Sequence, residues 1–360
     1  MSNIDQQVKS LLKPVIQTMQ PYHVAPSAGL LKLDAMENPY QWDTDIKQQW
    51  LAFLASAEIN RYPSAAAEEL CHKLKEVMQV PSGLDIMLGN GSDEIIQILT
   101  MAMTIENASL FAVEPSFVMY KIIADTVGMH YISVLLNKDF SLDMPSIMAS
   151  IQQHQPNLLF FAVPNNPTAN SFSKDELCQI IEAAEGLVVI DEAYIAFTEA
   201  DMLELAVRYD NVLIMRTLSK VGLAGLRLGM LIGKPVWINQ FNKIRLPYNI
   251  NVLTQMTALF ALQHYEILQR QAESIKQQRT VLARQLSALD GVEVFPSQAN
   301  FLLIRTTKDA KQIFESLKKS GVLIKCLAGG HPLLTQCLRI TVSTEAENEV
   351  FLEAFKKALT

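Results

Sequence analysis

Between about residue 85 and residue 235 the chain alternates short, predominantly apolar runs with longer amphipathic stretches, and this alternation limits the possible folds sharply. The runs are SLFAV (109–113), NLLFFAV (157–163), LVVI (187–190), NVLIM (211–215) and LGMLIG (228–233). Rich in Val, Ile, Leu and Phe, without a polar residue at every second position, they read as strands buried on both faces. The segments SDEIIQILTMAM (92–103), FVMYKIIADTVG (117–128) and SKDELCQIIEAAEG (173–186) carry helical spacing. The last opens on Ser173 with Glu176 three residues on, a capping-box pattern, and is expected to stop at Gly186. Strands separated by helices imply an α/β fold with a mostly parallel sheet covered by helices on both faces.

After about residue 250 the pattern changes. Residues 251–289 read as long helical segments. A strand pair (292–306), a helix (309–319), short strands (322–327 and 337–342) and a final helix (345–359) follow, the pattern of a smaller α+β domain. The expected organisation is an arm with one helix at 1–30, packing with the small domain or a partner subunit. A large ligand-binding domain at 31–250 and a small C-terminal domain at 251–360 complete it. A length of 360 residues suits two domains.

Composition removes several functional classes. A net charge of −7 without a dense Lys/Arg block argues against a nucleic-acid surface. No run approaches the roughly 18 apolar residues of a membrane span, and the N-terminus lacks the basic-then-apolar order of a secretory signal, so a cytoplasmic protein is expected. Cys71, Cys178, Cys326 and Cys337 form no CxxC pair and have no histidine cluster beside them. They are expected to be reduced core residues, and no metal site is expected.

In an open parallel sheet, ligands bind beyond the carboxyl ends of the strands, so the residues that follow each run carry the functional reading. Gly91-Ser92-Asp93 opens a helix, where free N–H groups and the positive dipole end can cup a phosphate, although Ser92 could equally be an ordinary N-cap. Pro164-Asn165-Asn166-Pro167 reads by itself as a turn. Asp191 ends a buried run, where a carboxylate is costly unless partnered, and Tyr194 lies three residues on. Arg216-Thr217-Leu218-Ser219-Lys220 leads into a loop that ends at Arg227. A lysine between apolar strands can have its amine proton affinity lowered and become nucleophilic.

Each of these features has a bland explanation by itself. Together they match the demands of pyridoxal 5'-phosphate (PLP). That cofactor needs an amine for its aldehyde (Lys220), an acid at its ring nitrogen (Asp191) and donors to its phenolate oxygen (Asn166, Tyr194). It also needs a phosphate cup, which the 91–93 turn, Ser219 and Arg227 can supply.

The segments LDAMENPY (33–40), NRYPS (60–64), GNGSDEII (89–96), VEPSFVMY (113–120), PNNPTA (164–169), VVIDEAYIAF (188–197), RTLSKVGLAGLRLG (216–229), ANFLLIR (299–305) and CLRITV (337–342) carry a family resemblance. Over nearly its whole length the chain resembles the fold-type I PLP-dependent aminotransferases of class I/II. Within that group it is most similar to the branch that exchanges an amino group between L-histidinol phosphate and 2-oxoglutarate in histidine biosynthesis.

The resemblance implies that Lys220 holds the cofactor covalently and then acts as the proton shuttle. It implies that Phe117 stacks on the ring and that Tyr62 reaches the cofactor phosphate of a neighbouring subunit in a homodimer with shared sites. Tyr22 and Asn38 would line the substrate pocket, and Arg339, with Lys325 nearby, would bind the substrates' anionic ends. A guanidinium suits both carboxylate and phosphate because its donors form a planar fork.

Three positions depart from the family pattern: Ala169 stands where glycine is usual, Phe117 where some relatives carry tyrosine, and Lys325 where an arginine is common. Alternatives on the same scaffold are an aromatic or broad-specificity aminotransferase and an O-phospho-amino-acid decarboxylase. A ligand-sensing regulator would need a DNA-reading module, and no basic footprint for one is present.

Overall fold

The structure, a computed structural model, describes residues 3–21, 24–199 and 201–360. Strand β1 (Leu31–Lys32) belongs to a short pair treated below. The alternating region forms a seven-stranded sheet from β2 (Asp85–Asn90), β3 (Ser109–Glu114), β4 (His130–Leu135), β5 (Leu158–Ala162), β6 (Leu187–Asp191), β7 (Val212–Thr217) and β8 (Leu228–Gly233). Their spatial order is β2-β8-β7-β6-β5-β3-β4. Neighbours are parallel except where β8 runs antiparallel to both β2 and β7.

That reversal matters for function. Leu228 lies opposite Asn90, and Gly229 opposite Thr217, so the amino end of β8 reaches the edge where its neighbours end. Arg227, just before β8, is delivered to the edge where β6 ends at Asp191, next to Asp93 in the turn after Asn90.

β5, β6, β7 and β8 are buried at every position, as their continuous apolar runs require. Strand β4 was not expected from the sequence. It lies at the sheet edge with no buried residue, and its sequence HYISVL shows no continuous apolar run.

The capping box on the helix Lys174–Ala183 forms in both directions between Ser173 and Glu176. Its expected glycine stop does not occur there. The helix ends at Ala183 with Ala184 in extended conformation. Gly186 is needed for a different reason: a Cβ there would lie 2.1 Å from the Pro156 carbonyl oxygen and 2.6 Å from that of Asn157.

In the C-terminal region, β9 (Val292–Val294), β10 (Phe301–Thr306), β11 (Val322–Leu323), β12 (Lys325–Cys326) and β13 (Cys337–Thr341) alternate with helices. An antiparallel sheet of order β12-β13-β10-β9 packs with helices Tyr265–Ser287, Ala310–Lys319 and Glu345–Leu359. β1 pairs in parallel with β11, and Leu33 and Met36 are buried in the same apolar cluster as Phe301, Ile340 and Phe351. Residues 31–36 therefore run with the C-terminal unit, although a boundary at residue 31 assigns them to the large one.

The arm holds two helices, Asn3–Leu11 and Pro14–Thr18, where one was expected. Pro14 takes the first position of the second helix, after Lys13 in extended conformation, because a proline cannot continue a preceding helix. Among the described residues the arm meets the large unit: the Lys13 amine donates to the carbonyls of Thr126 (3.2 Å) and Val127 (3.1 Å). These close the helix Met119–Val127, where unpaired carbonyls and the negative dipole end attract a cation. All four cysteines are free, but only Cys337 is buried, so the expectation of four core thiols is corrected for the other three. Among the described residues no helix is long and apolar enough to cross a membrane.

Gly186→Ala should destabilise the protein by about 1–3 kcal/mol, the usual range for overpacking, and lower the thermal midpoint. Gly225→Ala, where a Cβ would meet nothing within 4 Å, should leave the midpoint almost unchanged. Differential scanning calorimetry of both variants checks the pair.

Candidate active site

β2 ends at Asn90 and the helix Gly91–Met103 begins at once, with no side-chain cap on its first turn. Ser92 is therefore not the N-cap; it sits within the first turn, and Asn90 is turned instead toward Glu94 and the carbonyl of Asn249. Gly91 has φ +75, and a Cβ on it would lie 2.6 Å from Arg227 Nη2. A Cβ on Gly229 would lie 2.6 Å from the Gly91 carbonyl carbon and 2.8 Å from the Ser92 nitrogen. Two glycines thus let the uncapped helix start, β8 and a guanidinium converge. N–H groups, positive dipole and cation together make an anion cradle.

Arg227 reaches this position from a left-handed backbone (φ 51). Its Nη2 donates to Asp93 Oδ2 at 3.2 Å and its Nη1 to Ser219 Oγ at 3.3 Å. The Thr217 hydroxyl lies 2.9 Å from Ser219 Oγ and 3.0 Å from the Leu228 carbonyl oxygen, tying the ends of β7 and β8 together.

Asp191 closes β6 and is 4 % exposed. Its Oδ2 accepts from the Tyr120 hydroxyl at 2.7 Å and its Oδ1 from the Ala193 N–H at 3.0 Å. Burial pushes its pKa up to about 6, against the pull of these two donors, so the carboxylate is mostly ionised at neutral pH. The next residue, Glu192, forms a buried ion pair with Arg216 of β7 (2.7 Å) and also accepts from the Met202 N–H (2.6 Å). This pair fixes the ends of β6 and β7 relative to each other.

Lys220 sits in the single wide helical turn (π type) Ser219–Leu223, which breaks at Gly222 (φ 140). Its Nζ donates to the Ala35 carbonyl at 3.3 Å and lies 5.9 Å from the Tyr194 ring centre. Burial lowers its pKa to about 8, with Arg339 and Arg227 adding to the effect. A few tenths of such an amine is neutral near pH 7.5, enough for nucleophilic attack. Tyr194 is buried, and burial raises its phenol so that it remains a neutral donor.

One cavity gathers Ser92, Asp93, Phe117, Asn166, Asp191, Tyr194, Ser219, Lys220 and Arg227 along its lining, with Gly91 beneath Arg227. Arg339, on β13, meets the cavity through Asn166, whose Oδ1 accepts from Arg339 Nη1 at 2.6 Å. Lys325 is paired directly opposite Arg339 in the β12–β13 register, so both side chains leave the same face of the small sheet. The Asn38 amide donates to the Val221 carbonyl (2.8 Å) and to Gln271 Oε1 (3.0 Å), bracing the backbone just after Lys220.

Tyr62 does not line the cavity; it is 81 % exposed and stacks on Tyr248, with centroids 4.5 Å apart. Tyr22 lies outside the described residues. Ala169 adopts a left-handed backbone (φ 66), the conformation that favours the glycine usual at this position in the family.

Sequence reasoning missed Tyr120 and Thr217. Tyr120 carries a hydroxyl on the buried face of a helix, three residues after Phe117. That was the available signal, but nothing local says which strand the hydroxyl meets.

The donor set fits PLP. An amine, a carboxylate with one donor on each oxygen, an amide and phenol pair, and an anion cradle converge on a single cavity. At Gly229 a Cβ would strike the Gly91–Ser92 backbone, so this chain's own backbone leaves the cradle open only to glycine there.

The fold and this site define a PLP-type aminotransferase, and the chain belongs to the family described as Aminotransferase class I and II, which matches residues 28–355. The chain is 48 % identical over 350 residues, 97 % of each chain, to Histidinol-phosphate aminotransferase 2 of Nitrosococcus oceani. It is 46 % identical, over 97 % of this chain and 98 % of the other, to the histidinol-phosphate aminotransferase of Chromobacterium violaceum. Among solved structures, the fold is similar to that of histidinol-phosphate aminotransferase from Sinorhizobium meliloti in complex with pyridoxal-5'-phosphate. That match has a TM-score of 0.86 at 22 % identity, over 97 % of this chain and 98 % of the other.

Two outcomes follow from the buried charges. Attack on an aldehyde needs the neutral amine, so the rate at which the cofactor-free protein attaches PLP covalently should rise with pH through about 8. Stopped-flow absorbance would follow it. The second outcome concerns stability. Because Asp191 holds its proton more tightly folded than unfolded, it contributes a loss of stability that sets in as pH rises from about 4 to about 6 and persists above. Asp191→Asn should therefore stabilise the cofactor-free protein by up to roughly 3 kcal/mol at pH 8 and by less at pH 5, measured by chemical denaturation.

Proposed function

We propose that the chain transfers an amino group between L-histidinol phosphate and 2-oxoglutarate, with PLP held covalently on Lys220. The observation that carries the chemistry is the convergence of Lys220, Asp191, Asn166, Tyr194 and the 91–93/Ser219/Arg227 cradle on one cavity. Relatives at 43–48 % identity along nearly the whole chain, named histidinol-phosphate aminotransferases, support the substrate.

When bound, the cofactor supplies an electron sink for the charge released at the substrate's Cα. Asp191 holds a proton at its ring nitrogen. Asn166 and Tyr194 orient it through its phenolate oxygen, and Phe117 covers one face. Gly91, Ser92 and Asp93, through main-chain or short side-chain donors, bind its phosphate with Ser219 and Arg227.

With its amine free, Lys220 would take the proton from the substrate's Cα and deliver it to the cofactor's C4′ carbon, so a single residue would serve as anchor and base. Arg339, with Lys325 opposite it, binds the carboxylate of one substrate and the phosphate of the other. Asn38, next to the backbone that follows Lys220, borders the substrate pocket. Tyr62 reaches the cofactor phosphate of a second copy in a homodimer, a role that its exposure favours. The working units are the arm to residue 30, a large unit to 250 and a small unit beyond it that also takes in residues 31–36, in a cytoplasmic protein with four free thiols.

A half-reaction screen tests this reading. Mixed with a panel of amines, the PLP-loaded protein should lose its visible absorbance fastest with L-histidinol phosphate and should release no carbon dioxide. An equal or faster reaction with phenylalanine would replace the substrate assignment, and carbon dioxide release would replace the reaction type. Arg339→Ala should slow both half-reactions by at least about tenfold, the loss of a charge-assisted bidentate contact, while cofactor absorbance survives.

A further inference from the structure

We propose that Tyr120 is a positioning residue that keeps Asp191 ionised and aimed at the cofactor's ring nitrogen. The inference rests on the reading of the cavity as a PLP site. Tyr120 is fully buried in the first turn of the helix Met119–Val127. Its ring stacks on Phe160 of β5, with centroids 4.6 Å apart and planes 13° from parallel, and meets Phe117 edge-on at 5.6 Å. Two aromatic contacts fix the ring, so the direction of the hydroxyl is fixed with it. That hydroxyl donates to Asp191 Oδ2 at 2.7 Å.

The surroundings of Asp191 make this bond consequential. The charged or titratable groups that act on it are Tyr120 from the helix, Asp93 from the phosphate turn, and Glu192 and Tyr194 close to it in the chain. Two of these are anions, and no cation pairs with Asp191 among the described residues. The carboxylate is held in its charged form by one phenol and one backbone N–H. Those donors take one lone-pair site on each oxygen and leave the rest free for a ring N–H. Burial and the neighbouring carboxylate raise the Tyr120 phenol well above its ordinary value, so it keeps its proton and acts only as a donor. Without the phenol, the buried carboxyl would take the proton that the ring nitrogen needs.

Tyr120→Phe removes one oxygen and keeps both ring contacts. In the cofactor-free protein, infrared spectroscopy of carboxyl groups in the parent, Tyr120→Phe and Asp191→Asn assigns the Asp191 band and its titration midpoint. That midpoint should rise by about one pH unit or more in Tyr120→Phe, the effect of losing a hydrogen bond to a charged group. In the holoenzyme loaded with PLP labelled with nitrogen-15 in the ring, the resonance should move from the protonated toward the neutral position, and the half-reaction should slow by about tenfold or more.

An unchanged midpoint, or an unchanged nitrogen resonance, would overturn the role and leave Tyr120 as packing. Should Tyr120→Phe fail to fold, 3-fluorotyrosine placed at position 120 decides the matter. Its more acidic phenol is a stronger donor and should lower the Asp191 midpoint, and no change would again overturn the role. Failure of the PLP reading itself is distinguishable, because the unmodified protein would then not attach PLP.

Discussion

β5, β6 and β7 are buried along their whole length, so a polar side chain can leave them only where they stop. This constraint puts the chemistry at the sheet's carboxyl edge. Asp191 is the last residue of β6, Asn166 follows β5, and Ser219 and Lys220 follow β7. The antiparallel entry of β8 then adds a cation at the same edge, because Arg227 precedes that strand where its neighbours end. Had β8 run parallel, Arg227 would lie at the opposite edge and the anion cradle would lose its guanidinium.

Burial also sets the electrostatics. The same desolvation that raises the proton affinity of Asp191 lowers that of Lys220. For Lys220 this leaves part of the amine neutral near pH 7, whereas Asp191 keeps its charge through the Tyr120 hydroxyl and the Ala193 N–H that donate to it. Beside them, Glu192 and Arg216 are also buried and pair with each other, with Asp201 3.8 Å from the other end of the guanidinium. A buried pair of this kind adds little net stability, whereas loss of one partner strands a charge. Its use here is geometric, since it ties the strand that carries Asp191 to the strand that leads to Lys220.

Much of this was legible in the sequence. Continuous apolar runs mark strands buried on both faces, and the residues just after them are the site residues, so local order along the chain already groups Asp191, Tyr194, Ser219, Lys220 and Arg227. The edge strand β4 escaped because an exposed strand has no continuous apolar run. Gly186 was misread as a helix stop because close backbone approach and a left-handed turn both select glycine. The placement of Leu31–Met36 with the C-terminal unit depends on a two-residue pairing with β11, too short to leave a pattern.

The sequence alone therefore determined the α/β alternation and singled out Lys220, Asp191 and the cradle residues, because each is a local feature of a strand end or a helix start. The tertiary structure alone decided what meets what. It brought Tyr120 from a helix to a carboxylate in another strand, set Lys325 opposite Arg339 by strand register, and joined Arg339 to Asn166 across the two units. Hydrophobic periodicity records which face of an element is buried. It carries no information about which partner is buried against that face, and that choice is made only when the elements pack.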